Sequence, residues 1–299
     1  QLIKVFNKVI MNIPFIKMQG IGNDFIVLSP FLGKLPEKKL TKHKLKLIAN
    51  RHFGVGADQI LIVKSCLSNE AEYEYEIINS DGGQVEQCGN GARCVMKFLS
   101  NISMLSGSHV TLKSKAGIVT ARILDDLNIC IQMTVPEFKT SDVGLKTELL
   151  ERKKIGNHEI FSIRWRKKNI QFFPVSMGNP HAVITLDSIQ SPEIKDIYDF
   201  INKLGIFESG INLGFFKVMD QKTIDLRVFE RGCGETLACG SGACAAVVAG
   251  VAQNLLIKGE PVKVNLPGGS LSIFWSGGLN DKVFMSGPAE EVFRGTFQL

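Results

Sequence analysis

The chain has 299 residues, of which 44% are hydrophobic and 21% charged, a balance typical of a folded globular protein rather than a disordered one. Its net charge is +6, but the Lys and Arg residues are scattered and form no basic stripe interleaved with aromatic residues, so we expect no nucleic-acid partner. No run of about 20 apolar residues is present, and the start lacks a signal-peptide pattern. We therefore expect no membrane partner and a cytoplasmic location.

Residues 15–135 show the pattern of short strands separated by turns. The runs FIVL at 25–28, QILIV at 59–63 and YEYEIIN at 73–79 are rich in β-branched and aromatic residues. Between the first two runs, LTKHKLKLIANRH at 40–52 places its leucines and isoleucine on one apolar stripe. This pattern predicts a surface helix among the strands.

The same order of elements restarts in the second half. A segment at 136–147 that mixes Pro, Asp, Ser and Gly is predicted to cross between two domains. Beyond it, the strand-like runs FSIRW, QFFPVSM, AVITL and TIDLRVF surround a helix-like stretch at 194–204. The motif CGNGARC at 88–94 recurs as CGSGAC at 239–244, with leading cysteines 239 − 88 = 151 residues apart. The chain therefore looks duplicated.

Each Cys-Gly motif is predicted to begin a helix. After the second motif, ACAAVVAGVAQNLL is apolar nearly all round, and such a helix has to be buried. Short strands around a buried helix form a curved sheet or barrel. We predict the α+β class: a duplicated two-domain fold in which each half is a barrel-like, mainly antiparallel sheet around a central helix.

The repeated cysteines, Cys88 and Cys239, carry the predicted chemistry. A thiol at a helix start lies near unpaired backbone N–H groups and the positive end of the helix dipole, so its pKa is expected below about 8.5. The glycines that follow let backbone amides approach a carboxylate. Inverting an α-carbon needs a base on one face and an acid on the other. Two opposed thiols therefore predict an enzyme that inverts a stereocentre on a small amino acid without a cofactor.

Other interpretations of the cysteines fit less well. A single cysteine at a Gly-rich turn is often a packing residue, but the repetition argues against that here. The spacings C-x5-C and C-x5-C-x4-C are not the paired C-x2-C of structural zinc sites, and the last Gly of a dinucleotide loop is missing. The remaining cysteines are predicted to be packing residues: Cys66, Cys94, Cys130, Cys233 and Cys244. The assignment is least certain for Cys233, which lies six positions before Cys239.

Three long motifs resemble the diaminopimelate epimerase family, whose members convert LL-diaminopimelate to the meso form. They are NSDGGQVEQCGNGARC at 79–94, SMGNPHAV at 176–183 and RVFERGCGETLACGSGACAA at 227–246. The resemblance extends from KMQGIGNDF and RHFGVGADQ near the start to PGGSL and SGPAEEVF near the end. It departs at Cys233, where a small alanine-like residue is usual, and in the extra residues at the start.

The resemblance implies a PLP-independent isomerase of lysine and peptidoglycan precursor biosynthesis that uses no metal and forms a homodimer. It implies domains at 13–136 plus 287–299 and at 137–286, with 1–12 as an extension. It implies Cys88 and Cys239 as the acid and base, tuned by His181 and Glu230. The implied substrate contacts are Asn23, Gln59, Asn79, Asn179, Asn212, Glu230 and Arg231, with the amides of Gly89, Asn90, Gly240 and Ser241. Arg, Glu and amide side chains suit a ligand with two zwitterionic ends.

Three competing functions stay open on the sequence. A related two-thiol racemase or epimerase would act on proline or hydroxyproline, although Arg231 argues for a second charged end on the ligand. A non-catalytic amino-acid binding protein would use the cysteines only for packing, and its thiols should react slowly with alkylating agents. A cysteine peptidase needs one Cys with a general-base His and leaves the second cysteine unexplained.

Overall fold

Nineteen strands and four α-helices make up the computed structural model, which describes residues 11–126 and 128–299. The first half contains β1 (Asn12–Gly20), β2 (Asn23–Leu28), α1 (Lys42–Ala49), β3 (Gln59–Ser65), β4 (Tyr73–Asn79), β5 (Gln84–Val85), α2 (Gly89–Asn101), β6 (His109–Ser114), β7 (Gly117–Ile123) and β8 (Ile129–Gln132). The second contains β9 (Glu151–Ile155), β10 (His158–Trp165), β11 (Lys168–Ser176), β12 (Pro180–Thr185), α3 (Glu193–Leu204), β13 (Asn212–Asp220), β14 (Thr223–Glu230), β15 (Gly234–Thr236), α4 (Gly240–Ala252), β16 (Val262–Leu266), β17 (Gly269–Phe274) and β18 (Phe284–Gly287). The last strand is β19 (Glu290–Gln298).

Strand pairing follows the same order in both halves. In the first, the order is β1, β2, β3, β4, β6, β7, β8, with parallel pairs only at β2–β3 and β4–β6. In the second, the order is β11, β12, β13, β14, β16, β17, β18, with parallel pairs only at β12–β13 and β14–β16. An antiparallel pair of β8 and β18 joins the halves. The predicted duplication is confirmed.

The four helices explain the four parallel pairs, which the sequence did not predict. Antiparallel neighbours need only a tight turn, whereas parallel neighbours need a crossover connection, usually a helix. Each helix provides one such crossover: α1 lies between β2 and β3, α2 between β4 and β6, α3 between β12 and β13, and α4 between β14 and β16. The remaining pairs are antiparallel, so the predicted mainly antiparallel α+β class is confirmed.

Two of the helices lie in the core and two lie on the outside. Ten residues of α2 and eleven of α4 are buried, and both helices belong to the largest apolar cluster, together with residues from the strands of both halves. Helices α1 and α3 each pack one apolar face on a smaller cluster. The all-round apolar character of α4 thus reflects full burial, as predicted.

The chain returns to the first half at its end. Strand β19 pairs antiparallel with β1, and Leu299 exchanges two backbone hydrogen bonds with Met11. The segment at 136–147 lies against the second half, where Glu137 bridges to Ser176 and Leu145 to Phe207. Residues 1–10 of the predicted extension lie outside the described residues. Within the part of the chain that the structure describes, no helix is both long and apolar enough to cross a membrane.

Candidate functional site

The two repeated cysteines occupy the N-cap positions of the two central helices. Cys88 precedes α2 and Cys239 precedes α4, and both have extended backbone angles. The Cys88 sulfur accepts a hydrogen bond from the Gly91 N–H at 3.3 Å, and the Cys239 sulfur accepts one from Gly242 at the same distance. The thiols thus take the place of the Ser or Asp oxygen that commonly caps a helix. The structure confirms that each motif begins a buried helix.

The expected lowering of the thiol pKa values is wrong for the protein without substrate. Burial raises the pKa of Cys88 to about 11 and that of Cys239 well above its ordinary value. The negative charge of Glu230 adds to both increases, while the helix-start N–H groups act in the lowering direction and are outweighed. Both thiols are therefore protonated at neutral pH, and slow alkylation no longer distinguishes a binding protein from an epimerase.

Strand register places the predicted contacts of the two halves in equivalent positions. Gln59 lies opposite Asn79 in the β3–β4 pair. In the β13–β14 pair Leu213 lies opposite Phe229. Asn212, one residue earlier, and Glu230, one residue later, therefore take the places that Gln59 and Asn79 have in the first half. The spacing to the thiol is also equal, since 88 − 79 = 9 and 239 − 230 = 9. The site is thus built from two copies of one strand-turn-helix unit.

Two asparagines occupy a second pair of equivalent positions. Phe25 lies beside Gln59 in the parallel β2–β3 pair, and His181 lies beside Asn212 in the parallel β12–β13 pair. Asn23 and Asn179, each two residues earlier, therefore correspond. Each follows a glycine in a left-handed conformation, with φ of +89° at residue 22 and +82° at residue 178. That conformation favours glycine at both turns.

The helix starts of the two halves meet. The Asn90 side-chain amide donates to the Ala238 carbonyl at 3.3 Å, and thereby links the start of α2 to the residue before Cys239. Met285 lies beneath both starts: a Cβ at Gly89 would be 2.5 Å from its Cε, and one at Gly240 would be 2.8 Å from its sulfur. Only glycine at these two positions lets both helix starts approach the same methionine. The backbone amides predicted to bind a carboxylate are thereby brought together.

The two thiols have different polar neighbours. Cys88 donates to the side-chain oxygen of Asn23 at 3.7 Å, whereas the Cys239 sulfur lies 3.6 Å from the Ser241 hydroxyl. A side-chain carbonyl oxygen can only accept a hydrogen bond, while a hydroxyl can also donate one. The Ser241 hydroxyl in turn accepts from the Asn179 amide at 3.2 Å. Asn23 therefore presents its side-chain oxygen to the start of α2, whereas the equivalent Asn179 presents its side-chain nitrogen to the start of α4.

His181 is buried and neutral. Its side chain is 1% exposed, and burial lowers its pKa to about 3. Its Nε2 lies 3.0 Å from the Asn179 side-chain oxygen, which fixes Nε2–H as the donor, because that oxygen can only accept. Its Nδ1 is buried with no hydrogen-bond partner among the described residues. The ring orients Asn179 and leaves one buried acceptor nitrogen.

Glu230 is the carboxylate whose charge affects both thiols. Thr236 donates to its Oε1 at 2.6 Å, and a hydrogen bond between the carboxylate and the Cys239 thiol adds to the raised pKa of that thiol. The neighbouring Arg231 backbone N–H donates to the Asn212 side chain at 3.0 Å, and the Arg231 guanidinium donates to the Ser209 carbonyl. Glu230 therefore faces the thiols, while the Arg231 guanidinium lies at an exposed edge.

The remaining predicted contacts hold one another in place. The Gln59 amide donates to the Asn79 side-chain oxygen at 2.9 Å, and the Gln59 oxygen is buried without a partner in the described part of the chain. The Asn212 amide donates to the Pro180 carbonyl at 2.9 Å. The sequence did not identify Met285 or Thr236 as site residues. For Met285 the available signal was the glycine after each repeated cysteine, because a glycine at the same place in both halves indicates that a side chain packs closely against both helix starts.

All seven cysteines are free, and Cys233 is exposed. Burial, followed by the charge of Glu230, raises the pKa of Cys233 above its ordinary value. Cys94 and Cys244 are buried inside α2 and α4, in the largest apolar cluster. Among residues 11–126 and 128–299, no group of three or more His, Cys, Asp or Glu side chains has the geometry of a metal site.

The matching family model and the similar sequences agree on one family. A family model described as diaminopimelate epimerase matches residues 15–139 and 173–292. The chain is 42% identical over 289 residues to a diaminopimelate epimerase of Cupriavidus metallidurans, across 97% of this chain and 98% of the relative. It is 39% identical over 291 residues to one of Teredinibacter turnerae, across 97% and 100%.

Solved structures show the same fold at low sequence identity. A PhzF-family phenazine biosynthesis protein from Bacillus anthracis has a TM-score of 0.67 at 15% identity, with coverage of 96% of this chain and 99% of the other. A hydroxyproline epimerase from Agrobacterium vitis has a TM-score of 0.64 at 16% identity, with coverage of 98% and 94%. At this level of sequence identity, the similarities show a shared fold and nothing more specific.

Proposed function

Because the chain belongs to the diaminopimelate epimerase family, we propose that it interconverts LL- and meso-diaminopimelate without a cofactor. One thiol removes the α-proton and the other returns a proton to the opposite face. The observation that carries this proposal is the equivalence of Cys88 and Cys239, each capping a buried helix that starts beside the other. A packing role for both cysteines would not account for two helix starts that converge.

The starting thiolate is formed by proton transfer to a carboxylate. Both thiols are protonated in the free protein, so one of them has to lose its proton before it can act as a base. Glu230 is the carboxylate that acts on the pKa of the Cys239 thiol, and we assign it as the group that accepts this proton. Thr236 holds the carboxylate from the other side at 2.6 Å. Cys88 then acts as the acid in the same turnover, and the roles reverse in the other direction.

The two helix starts stabilise the carbanion. The α-proton of an amino acid is weakly acidic, so charge that develops on the substrate carboxylate has to be met by donors already in position. The amides of Gly89, Asn90, Gly240 and Ser241 lie at the positive ends of α2 and α4. Because both helices are buried, little water competes for these donors.

Arg231 supplies selection for the distal end of the substrate. Its guanidinium is held at the exposed edge of the site by the Ser209 carbonyl and packs against Gly210, where a Cβ would be 3.1 Å from the Arg231 Cδ. A guanidinium can bind a carboxylate through two parallel hydrogen bonds. Asn23, Gln59, Asn79, Asn179 and Asn212 complete the proposed set of substrate contacts. A ligand with one carboxylate, such as proline, would leave Arg231 unused.

Two further proposals concern the whole molecule. We retain domain boundaries of 13–136 plus 287–299 and of 137–286, supported by the pairing of β19 with β1. We also propose a homodimer formed through β19, where Val292 and Phe293 are 57% and 47% exposed on a strand with one paired side among the described residues. Sedimentation of the wild-type protein and a Val292→Lys variant tests the dimer. A cytoplasmic location is consistent with seven free cysteines.

A substrate comparison tests the proposed reaction. Reduced protein without added cofactor is incubated in parallel with LL-diaminopimelate, L-proline and trans-4-hydroxy-L-proline, and stereoisomers are separated by chiral chromatography. We expect turnover of diaminopimelate alone, with an Arg231→Gln variant losing most of it. Turnover of a proline substrate instead would refute the assignment, and no turnover of any substrate by folded protein would favour the binding-protein alternative.

A further inference from the structure

Four charged residues form a network behind Asn23 in the first half. Asp24 accepts two hydrogen bonds from Arg51, at 2.9 and 2.7 Å, and one from Lys17 at 2.6 Å. Arg51 also donates to Asp58 at 2.8 Å, and the Asp58 backbone N–H donates to Asp24 at 2.8 Å. Although burial opposes ionisation of Asp24, the hydrogen bonds from Arg51 and Lys17 hold its pKa well below the ordinary value. Asp24 therefore stays charged and accepts from both Arg51 and Lys17.

The network determines which way the Asn23 amide points. The Asp58 Oδ2 accepts from the Asn23 side-chain nitrogen at 3.0 Å. A carboxylate can only accept hydrogen bonds, so this contact assigns the NH2 group of Asn23 to the Asp58 side. The Asn23 oxygen has to face the other way, toward Cys88 at 3.7 Å and the Asn90 nitrogen at 3.3 Å.

The hydrogen bonds continue from Asn23 to the helix start of the second half. The Asn90 nitrogen has two hydrogens, and it donates one to the Asn23 oxygen and one to the Ala238 carbonyl, each at 3.3 Å. A chain of hydrogen bonds therefore runs from Asp58 through Asn23 and Asn90 to the residue before Cys239, with Asn90 donating to both of its neighbours. Reversal of Asn23 would place two donors, its own nitrogen and that of Asn90, against each other.

The second half holds its equivalent asparagine in the opposite orientation. The equivalent Asn179 presents its nitrogen to Ser241, because its oxygen accepts from His181. A charged network holds the amide in the first half, and a neutral imidazole holds the opposite orientation in the second. The two thiols therefore meet different partners although their backbones are related by the internal repeat.

We infer that Asp58, anchored by Arg51 and Asp24, is a positioning residue that keeps an accepting oxygen on the Cys88 thiol. It acts through Asn23 and touches neither thiol. An accepting oxygen stabilises the protonated thiol, so the network keeps Cys88 a proton donor until substrate binds. The inference rests on the proposed two-thiol reaction, but it makes a prediction for the free protein that needs no substrate.

The test is site-resolved alkylation of the free protein at pH 8.5, with Cys88 and Cys239 quantified separately by peptide mass spectrometry. In Asp58→Ala the Asn23 amide loses its acceptor and is held only by the Asn90 donor, so a fraction of the molecules can turn the Asn23 NH2 toward Cys88. If this lowers the Cys88 pKa by about one unit, the thiolate population rises tenfold while its nucleophilicity falls about threefold, so alkylation of Cys88 accelerates about threefold. The rate of Cys239 should stay constant and is the internal reference.

The matched control is Asp225→Ala in the second half. Asp225 also accepts from an asparagine amide, that of Asn265 at 2.9 Å, but it has no link to either thiol in the described hydrogen bonds. Its Cys88 to Cys239 rate ratio should equal that of the wild type. Arg51→Gln, on a side chain that is 56% exposed, should change the ratio in the same direction as Asp58→Ala and covers the case that Asp58→Ala does not fold.

An increased Cys88 to Cys239 ratio in Asp58→Ala or Arg51→Gln, with an unchanged ratio in Asp225→Ala, supports the inference. An unchanged or lower ratio in the folded network variants overturns it. Epimerisation by the wild-type protein is measured separately, so failure of the proposed reaction is recognised independently of the alkylation result. With substrate, Asp58→Ala should lower kcat about tenfold and change KM less than threefold.

Discussion

Filling the space beneath the two helix starts should destabilise the fold in a way that removal of Met285 relieves. In Gly89→Ala the new methyl group would lie 2.5 Å from the Met285 Cε and 3.3 Å from the Met133 sulfur. Met285 is fully buried, its sulfur accepts from Arg93 at 3.6 Å, and it also touches Gly240. It therefore has little room to retreat, and overpacking of this kind costs about 1–3 kcal/mol.

The magnitude follows from a double-mutant cycle. Met285→Ala alone leaves a cavity in the core and should cost about 2–5 kcal/mol. In the double variant, the methyl group introduced by Gly89→Ala extends into the space that the methionine vacates. The combined loss should therefore be smaller than the sum of the single losses by at least about 1 kcal/mol, within the range measured for residues in contact.

Equilibrium urea unfolding, followed by far-UV circular dichroism and by tryptophan fluorescence, measures the four free energies of unfolding. Trp275 is 2% exposed and reports on the core. Gly107→Ala is the control, because a Cβ there would meet nothing within 4 Å, and its combination with Met285→Ala should be additive. Additivity of Gly89→Ala and Met285→Ala within about 0.5 kcal/mol would refute the shared-space reasoning.

Three further outcomes follow from the site. Glu230→Gln removes the charge that raises both thiol pKa values, so Cys239 should be alkylated faster while epimerisation falls about a hundredfold; unchanged alkylation would contradict the assigned charge effect. For His181, the folded pKa of about 3 lies below the unfolded value near 6.5, so the unfolded state binds more protons between these values. His181 should contribute a fall in the free energy of unfolding of up to about 1.4 kcal/mol per pH unit as pH drops from 6 to 4.5, and His181→Gln should remove that contribution. Arg231→Gln should raise KM for diaminopimelate at least about tenfold and leave the urea midpoint unchanged, and an unchanged KM would remove Arg231 from the substrate contacts.

The sequence predicted the repeated unit because its signal is local. A cysteine followed by Gly-x-Gly and an apolar stretch is enough to identify a capped, buried helix, and both α2 and α4 conform. The parallel strand pairs were not predictable in the same way. Whether two neighbouring strands run parallel depends on where the connecting helix packs, and that is set by contacts between residues distant in sequence.

The direction of the shift in the thiol pKa values could not be predicted from the sequence either. The helix-start donors could be predicted from the motif, but the burial that outweighs them depends on the packing of both halves around Cys88 and Cys239. Likewise, Asn23 could be expected near the site, whereas the direction of its amide depends on Asp58, 35 residues away. Orientation of this kind depends on contacts between residues far apart in the sequence.

Solvent deuterium incorporation tests the two-thiol account most directly. Reduced protein is incubated with LL-diaminopimelate in deuterated water, without added cofactor, and meso product and α-deuterium are followed for the wild type, Cys88→Ala and Cys239→Ala. The account predicts meso product that carries one solvent deuterium at the inverted centre in the wild type, and no product in either variant. Product formation that survives the loss of either thiol would contradict it.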